Sequence, residues 1–199
     1  MYELPVSSGR DGNQHLNIDR CQVYHTDEFV SAVGQRGCCM SADFKVTAIL
    51  LGAGGSTRMN GVDKIMMPLL GRPLLSYSLE QLEESVKINS IVVVAAESNE
   101  IAIRRIVDGR PVSKVSIVCQ GGFRRQDSVR NGLEHAADAT HVLVHDAARP
   151  LIEEGLIERG LIAALKNGAA IAAVPVKDTI KRVGYGMLVH ETVPREHLW

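Results

Sequence analysis

The sequence predicts an α/β fold, a doubly wound and mostly parallel sheet with helices on both faces, and three observations carry that expectation. Short apolar runs without polar alternation, such as Val46 to Leu51 (VTAILL), Ile91 to Ala96 and Val115 to Cys119, read as strands buried on both faces. Between them lie segments whose apolar residues recur every three or four positions, the spacing of an amphipathic helix. The links between these segments are short. Repeated strand-helix units joined in this way pack as right-handed crossovers on a common sheet.

Taken in order, residues 1–42 differ from the rest. They are polar and aperiodic, rich in Gly, Asn, Gln, Asp and Ser, and lack the apolar stretch of a secretory signal, so they are expected to form a poorly ordered N-terminal extension without good strands or helices. Met40 to Lys45 is a plausible start for the domain, which spans residues 43–199. Val46 to Leu51 is its first strand, followed by a glycine-rich loop. Pro73 suits a first helical turn and leads into Leu75, Leu79, Leu82 and Val86, which mark an amphipathic helix of about 14 residues. After the strand Ile91 to Ala96, Ser98 is expected to cap a short helix bearing Ile101, Ile103 and Ile106, stopped by Gly109 to Pro111. Beyond Val115 to Cys119, Asp127 can cap a helix carrying Val129, Leu133 and Ala136. His141 to His145 is the next strand, Glu153 to Lys166 a helix ended by Asn167 and Gly168, and Ala170 to Val176 another strand. Asp178 to Val183, the turn Gly184-Tyr185-Gly186 and Met187 to His190 then read as a β-hairpin arm within residues 177–195.

Composition narrows the function. With 199 residues, 45% hydrophobic and 23% charged, the chain can bury one sizeable core, and it has no apolar run of about 18 residues that would span a membrane. A formal charge of -1, from 22 basic and 23 acidic residues, gives no global attraction to nucleic acid. Any anion must therefore be held by a local cluster, and Arg58, Lys64, Arg124, Arg125 and Arg149 supply one. The four cysteines, Cys21, Cys38, Cys39 and Cys119, show no Cys-x-x-Cys spacing, which disfavours zinc and a disulfide scaffold and makes a reducing, cytoplasmic setting the expectation.

Gly52-Ala53-Gly54-Gly55-Ser56-Thr57-Arg58-Met59, with Lys64 five residues on, follows the first strand and opens at the sheet's ligand edge. Small residues there let backbone N–H groups approach phosphate oxygens while Arg58 and Lys64 offset their charge, the makings of a nucleoside triphosphate cradle. Two commoner phosphate loops do not fit. Gly55 and Gly61 are too far apart for a Walker loop and are followed by Val62 rather than lysine, and Ser56 and Met59 stand where a dinucleotide fingerprint needs glycine.

Asp146 ends a buried strand at the same edge. By itself an aspartate there is most often a cap or turn former, but beside Arg149 it can hold Mg2+, a hard ion that bridges phosphate oxygens. Arg124, Arg125 and Ser128 follow Gly121 and Gly122 in a strand-to-helix loop, which alone reads more readily as a solvated basic turn with a helix cap. His141 and His145 share one face of a strand without a third suitably spaced ligand, so burial with a backbone hydrogen bond is the expectation.

The run VTAILLGAGGSTRMNGVDKIMMPLLGRPLL resembles the opening of the sugar-phosphate nucleotidyltransferases. GGFRRQDSV from Gly121, VHDAARP from Val144 and VPVKDTIK from Val174 follow in the order and spacing of the 2-C-methyl-D-erythritol 4-phosphate cytidylyltransferase family. The resemblance implies the Rossmann variant of the nucleotide-diphospho-sugar transferases, CTP and a polyol phosphate as substrates, Mg2+ as cofactor and a homodimer that exchanges the hairpin arm. It implies catalysis by Arg58 and Lys64, and nucleotide binding by Gly52, Ala53, Gly54, Ser56, Gly122, Arg125, Ser128, Asp146 and Ala147. Acceptor binding falls to Asp146, Arg149, Thr179 and Arg195, and metal binding to Asp146. Phe123 stands where an acidic residue is common. Asp63 and Ile65 replace the frequent neighbours of the lysine, with little expected consequence. The acceptor is expected to be methylerythritol 4-phosphate, with ribitol 5-phosphate the nearest rival. Because the family pattern runs on past Trp199 with acceptor threonines and a second lysine, a nucleotide-binding but catalytically incomplete fragment is the rival of another class.

Overall fold

The computed structural model describes residues 2–3, 22–24, 44–54 and 62–199. Eleven strands occur among them: β1 (Tyr2–Glu3), β2 (Gln22–Tyr24), β3 (Val46–Gly52), β4 (Pro68–Leu69), β5 (Arg72–Pro73), β6 (Ser90–Ala95), β7 (Val115–Gln120), β8 (His141–Asp146), β9 (Ala170–Ala172), β10 (Ile180–Val183) and β11 (Val189–Val193). The helices are α1 (Leu74–Glu84), α2 (Glu100–Asp108), α3 (Arg125–Leu133) and α4 (Glu154–Asn167). The main sheet runs β1-β8-β3-β6-β7, its last four strands parallel and β1 antiparallel on the edge, as the doubly wound expectation requires.

Alternation along β3 and β6 explains why both faces are covered. Val46, Ala48 and Leu50 of β3, with Ile91, Val93 and Ala95 of β6, point into one core beside Leu75, Leu79 and Leu82 of α1, Ile103 of α2, and Ile157 and Leu161 of α4. Ile49 and Leu51, with Val92 and Val94, point the other way toward Val129 and Leu133 of α3. Each such valine, leucine or isoleucine contributes about 1.5–3 kcal/mol on burial, so neither face can be left to solvent.

Several boundaries differ from expectation. Helix α1 ends at Glu84 because Ser85 turns extended, so Val86 falls beyond the apolar stripe and is 82% exposed. Asn99, not Ser98, occupies the N-cap position of α2, and Ile101 faces solvent while Ile103 is buried. Asp127 lies in the first turn of α3 and caps it by accepting from the Arg124 N–H at 3.0 Å. Strand β9 stops at Ala172, short of the expected Val176. Its partner β2 ends at Tyr24, and Pro175 cannot donate to a ladder and restricts the residue before it. The two segments β1 and β2 are strands within the first 42 residues, where the sequence pattern predicts none; a pairing to β8 and β9 through backbone groups needs no apolar periodicity. The other residues of that extension, with Cys21, Cys38 and Cys39, lie outside the described residues. The β10-β11 hairpin is present, antiparallel and exposed along β10.

Gly132 sets how close α3 comes to the sheet. A Cβ built there would sit 2.7 Å from Ile49 Cγ2 and 3.1 Å from Val94 Cγ2, both in the packed core. Gly132→Ala should therefore destabilise the domain by about 1–2 kcal/mol, because overpacking outweighs the roughly 1 kcal/mol gained in helix propensity. Urea unfolding monitored by circular dichroism measures it; a stabilised variant would show that α3 packs with slack.

Candidate active site

The register of the parallel ladders brings four strand ends to one edge. Leu51 of β3 stands opposite Asp146 of β8, Gly52 opposite Ala95 of β6, and Ala95 opposite Gln120 of β7. The loops that follow β3, β7 and β8 line a cavity of about 500 Å3. Gly52, Ala53 and Gly54 form its floor, Lys64 one wall, and Gly122, Arg125 and Ser128 another, with Asp146 and Arg149 completing the rim. Most of the residues expected for a nucleotide site from four separate stretches of sequence thus share one cavity. Arg58 and Ser56 lie outside the described residues.

Close backbone approach shapes the Gly121-Gly122 wall. A Cβ at Gly121 would fall 2.3 Å from Ala53 Cβ and 2.9 Å from Ser128 Oγ, and one at Gly122 would fall 2.3 Å from Asp127 Cβ. Real Cβ atoms do not approach so closely, so larger residues would force the loop away from β3. Ser128 is only 4% exposed, and its Oγ accepts from the Gly122 N–H at 3.1 Å, which ties the loop to α3. Phe123 projects from the same loop fully into solvent, at the cavity lip.

Charge at the rim is organised around Asp146. Its Oδ1 accepts from Arg125 Nη2 at 2.8 Å, and its Oδ2 from Arg149 Nε at 3.1 Å. Burial pushes the Asp146 carboxyl up, but the hydrogen bonds and positive charge of Arg125 and then Arg149 outweigh it and hold the group below the ordinary carboxylate range. Two guanidiniums against one carboxylate leave this rim positive, suited to phosphate. Beside it, the His145 ring is held below its ordinary value by burial, and its Nε2 donates to the Arg149 carbonyl at 2.9 Å, the backbone hydrogen bond expected for it. His141 Nδ1 instead meets Thr140 Oγ1 at 3.0 Å.

The chemistry of the donor set fits a hard divalent cation held jointly with substrate. Among the described residues no group of three His, Cys, Asp or Glu side chains could hold a metal by itself. Two carboxylates of the described residues line the cavity, Asp63 and Asp146, and Mg2+ commonly takes one or two carboxylates and completes its octahedron with phosphate oxygens and water.

Some expected residues lie elsewhere. Ala147 is completely buried and does not line the cavity; its N–H donates to the Leu51 carbonyl at 2.9 Å and its carbonyl accepts from Ser78 Oγ at 3.1 Å, because the chain turns inward after β8. Thr179 and Arg195 are likewise absent from this cavity, and Arg195 Nη1 donates to the Lys177 carbonyl at the base of the arm. Asp63, expected to matter little, lines the cavity and bonds to Asn99, which occupies the N-cap position of α2 and belongs to no recognisable motif.

The lowered Asp146 carboxyl has a pH signature. A depressed folded-state value means its stabilising contribution is complete above the ordinary carboxylate range and is lost as pH falls through the lowered value. Thermal melts of the parent and Asp146→Asn between about pH 7 and pH 2 should differ most at neutral pH and converge in acid. A difference independent of pH would rule out the ion pairs as its source.

The family model described as 2-C-methyl-D-erythritol 4-phosphate cytidylyltransferase matches residues 46–199. A relative of that name from Dehalococcoides mccartyi (strain CBDB1) is 47% identical over 154 residues, covering 77% of this chain and 68% of the relative. One from Alkaliphilus metalliredigens is 42% identical over 163 residues, covering 80% and 68%. Among solved structures, 4-diphosphocytidyl-2C-methyl-D-erythritol synthase from Anaerococcus prevotii superposes with a TM-score of 0.65 at 29% identity, covering 78% of this chain and 66% of that one. This chain thus spans about two thirds of the length of these relatives. With the model matching from the first core strand to Trp199, the chain belongs to the 2-C-methyl-D-erythritol 4-phosphate cytidylyltransferase family.

Proposed function

We propose that this protein joins CTP to 2-C-methyl-D-erythritol 4-phosphate, giving CDP-methylerythritol and pyrophosphate in the non-mevalonate route to isoprenoids. The observation that carries the reading is the single cavity in which a small-residue floor, Lys64, the Gly122-Ser128 wall and the Arg125-Asp146-Arg149 cluster converge. An oxygen of the acceptor phosphate bonds to the α-phosphorus of CTP, the bond from that phosphorus to the bridging oxygen breaks, and the electron pair leaves with pyrophosphate. No covalent nucleophile is needed, so the protein supplies positioning and charge.

Lys64 and Arg58 stabilise the charge that builds on the five-coordinate phosphorus and on the departing pyrophosphate. The backbone of Gly52, Ala53 and Gly54, with Ser56, receives the phosphates, while Gly122, Arg125 and Ser128 receive the cytidine. Arg149 orients the acceptor phosphate, joined by Thr179 and Arg195 from the arm of a second copy. Asp146 would hold Mg2+, which neutralises phosphate charge when bound; Arg125 must then release one carboxylate oxygen.

The homodimer rests on the arm. Strand β10 is exposed throughout, and apolar Val183, Leu188 and Val189 sit in solvent on a hairpin that is marginal without a partner. A cytoplasmic setting accords with the free, buried Cys119, whose thiol burial pushes up and leaves unreactive.

Pyrophosphate release assayed with CTP, ATP, GTP and UTP, against methylerythritol 4-phosphate and ribitol 5-phosphate, tests the reading. CTP with methylerythritol 4-phosphate should be preferred. Equal rates with a purine triphosphate or preference for ribitol 5-phosphate would overturn it, and CTP binding without turnover would leave only its nucleotide half. Lys64→Ala and Arg58→Ala should each lower turnover by at least about 100-fold while melting temperatures stay nearly constant, since each removes charge aimed at the transition state. A large melting drop would make these residues structural.

A further inference from the structure

Lys64 stands between two neighbours that the fold grips from opposite sides. Asp63 caps the short 3-10 turn Lys64–Met66, its Oδ1 accepting from the Ile65 N–H at 3.1 Å. Its Oδ2 accepts from Asn99 Nδ2 at 2.7 Å. Asn99 Nδ2 also donates to the Gly52 carbonyl at 3.0 Å, and Asn99 Oδ1 accepts from the Ala96 N–H at 2.9 Å. Asn99 is 5% exposed and is not part of the cavity lining. On the other side, Ile65 is 6% exposed in the core, its Cδ1 3.0 Å from where a Cβ at Gly52 would stand.

We propose that Asn99 and Asp63 are positioning residues for Lys64, a partly buried amide-carboxylate clamp that fastens the lysine's turn to the ends of β3 and β6. The amide suits this post because both its donors and its acceptor are engaged. An aspartate at position 99 would set a second carboxylate against Asp63 and the Gly52 carbonyl, and an alanine would take the side-chain partner from the Ala96 N–H, the Gly52 carbonyl and Asp63 at once. The clamp also accounts for a carboxylate in a cavity built for phosphate. As a bare charge facing a triphosphate, Asp63 would weaken binding; as the cap of the turn, it holds the lysine where the cation outweighs it. Gly52 then has two tasks, accepting from Asn99 and leaving room for Ile65. The inference rests on the proposed role of Lys64 and deepens it.

Calorimetric titration of the full chain with CTP and with CMP tests the clamp, using the parent, Lys64→Ala, Asn99→Ala, the double variant and Asp63→Asn. Asn99→Ala should weaken CTP about tenfold, in line with loss of a placed charge, and CMP no more than about twofold. In the Lys64→Ala background, Asn99→Ala should add nothing further. Equal losses for CTP and CMP, or full additivity in the double variant, would reduce Asn99 to a structural residue and overturn the proposal. Asp63→Asn keeps the side-chain volume and turns an amide toward the Asn99 amide, so it decides the matter should Asn99→Ala fail to fold. Weaker CTP binding supports the clamp, and unchanged or tighter binding, the result for a mere repelling charge, overturns it. Where turnover is measured, Asn99→Ala should lower kcat more than it raises KM. An unaffected CTP affinity and turnover in Lys64→Ala would defeat the role given to the lysine, whereas a loss there with none in Asn99→Ala defeats only the clamp.

Discussion

Strand β3 is the constraint on which the rest depends. All seven of its residues are buried, with β8 on one side and β6 on the other, and its side chains supply both cores alternately. A strand in that position cannot shift by one residue without moving every apolar group to the opposite face, so its register with both neighbours is strongly specified. That register decides where Gly52, Ala95 and Asp146 end, and hence where three loops begin. The site is a consequence of how the sheet's core packs.

Around that edge, the structure exchanges side-chain bulk for backbone proximity. Gly121 and Gly132 each lie where a Cβ would collide with a packed neighbour, and together they hold α3 and its preceding loop against β3 and β6. Ser128 can then be buried and still face the cavity. The charge arrangement follows the same logic of fixed placement. Asp146 is gripped by two arginines from different elements, one at the start of α3 and one just after β8, which orients both cations toward the cavity before any ligand arrives.

The contrast between Arg125 and Asp63 shows what separates a legible residue from an illegible one. Arg125 belongs to a contiguous motif, GGFRRQDSV, whose spacing alone brings it to a strand end. Asp63 looked like an unremarkable neighbour of a lysine. Its partner Asn99 lies 36 positions later, and nothing local in either stretch marks the other. Likewise the apolar period predicted a face for α1 and α2 but not their ends, since Ser85 acts through backbone geometry and Asn99 through a long-range hydrogen bond.

By itself the sequence determined the strand-helix alternation, the parallel sheet, the hairpin and the set of small and basic residues at the ligand edge. These depend on local periodicity, on glycine and proline, and on contiguous motifs, which short stretches carry whole. The tertiary structure alone decided that Ala147 is a buried support, that Val86 and Ile101 face solvent, that β9 stops at Ala172, and that Asn99 reaches both Gly52 and Asp63. The placements of Ala147, β9 and Asn99 turn on contacts between residues far apart in the chain, and a hydrogen bond or a steric limit of that kind exists only once the sheet has brought its two sides together.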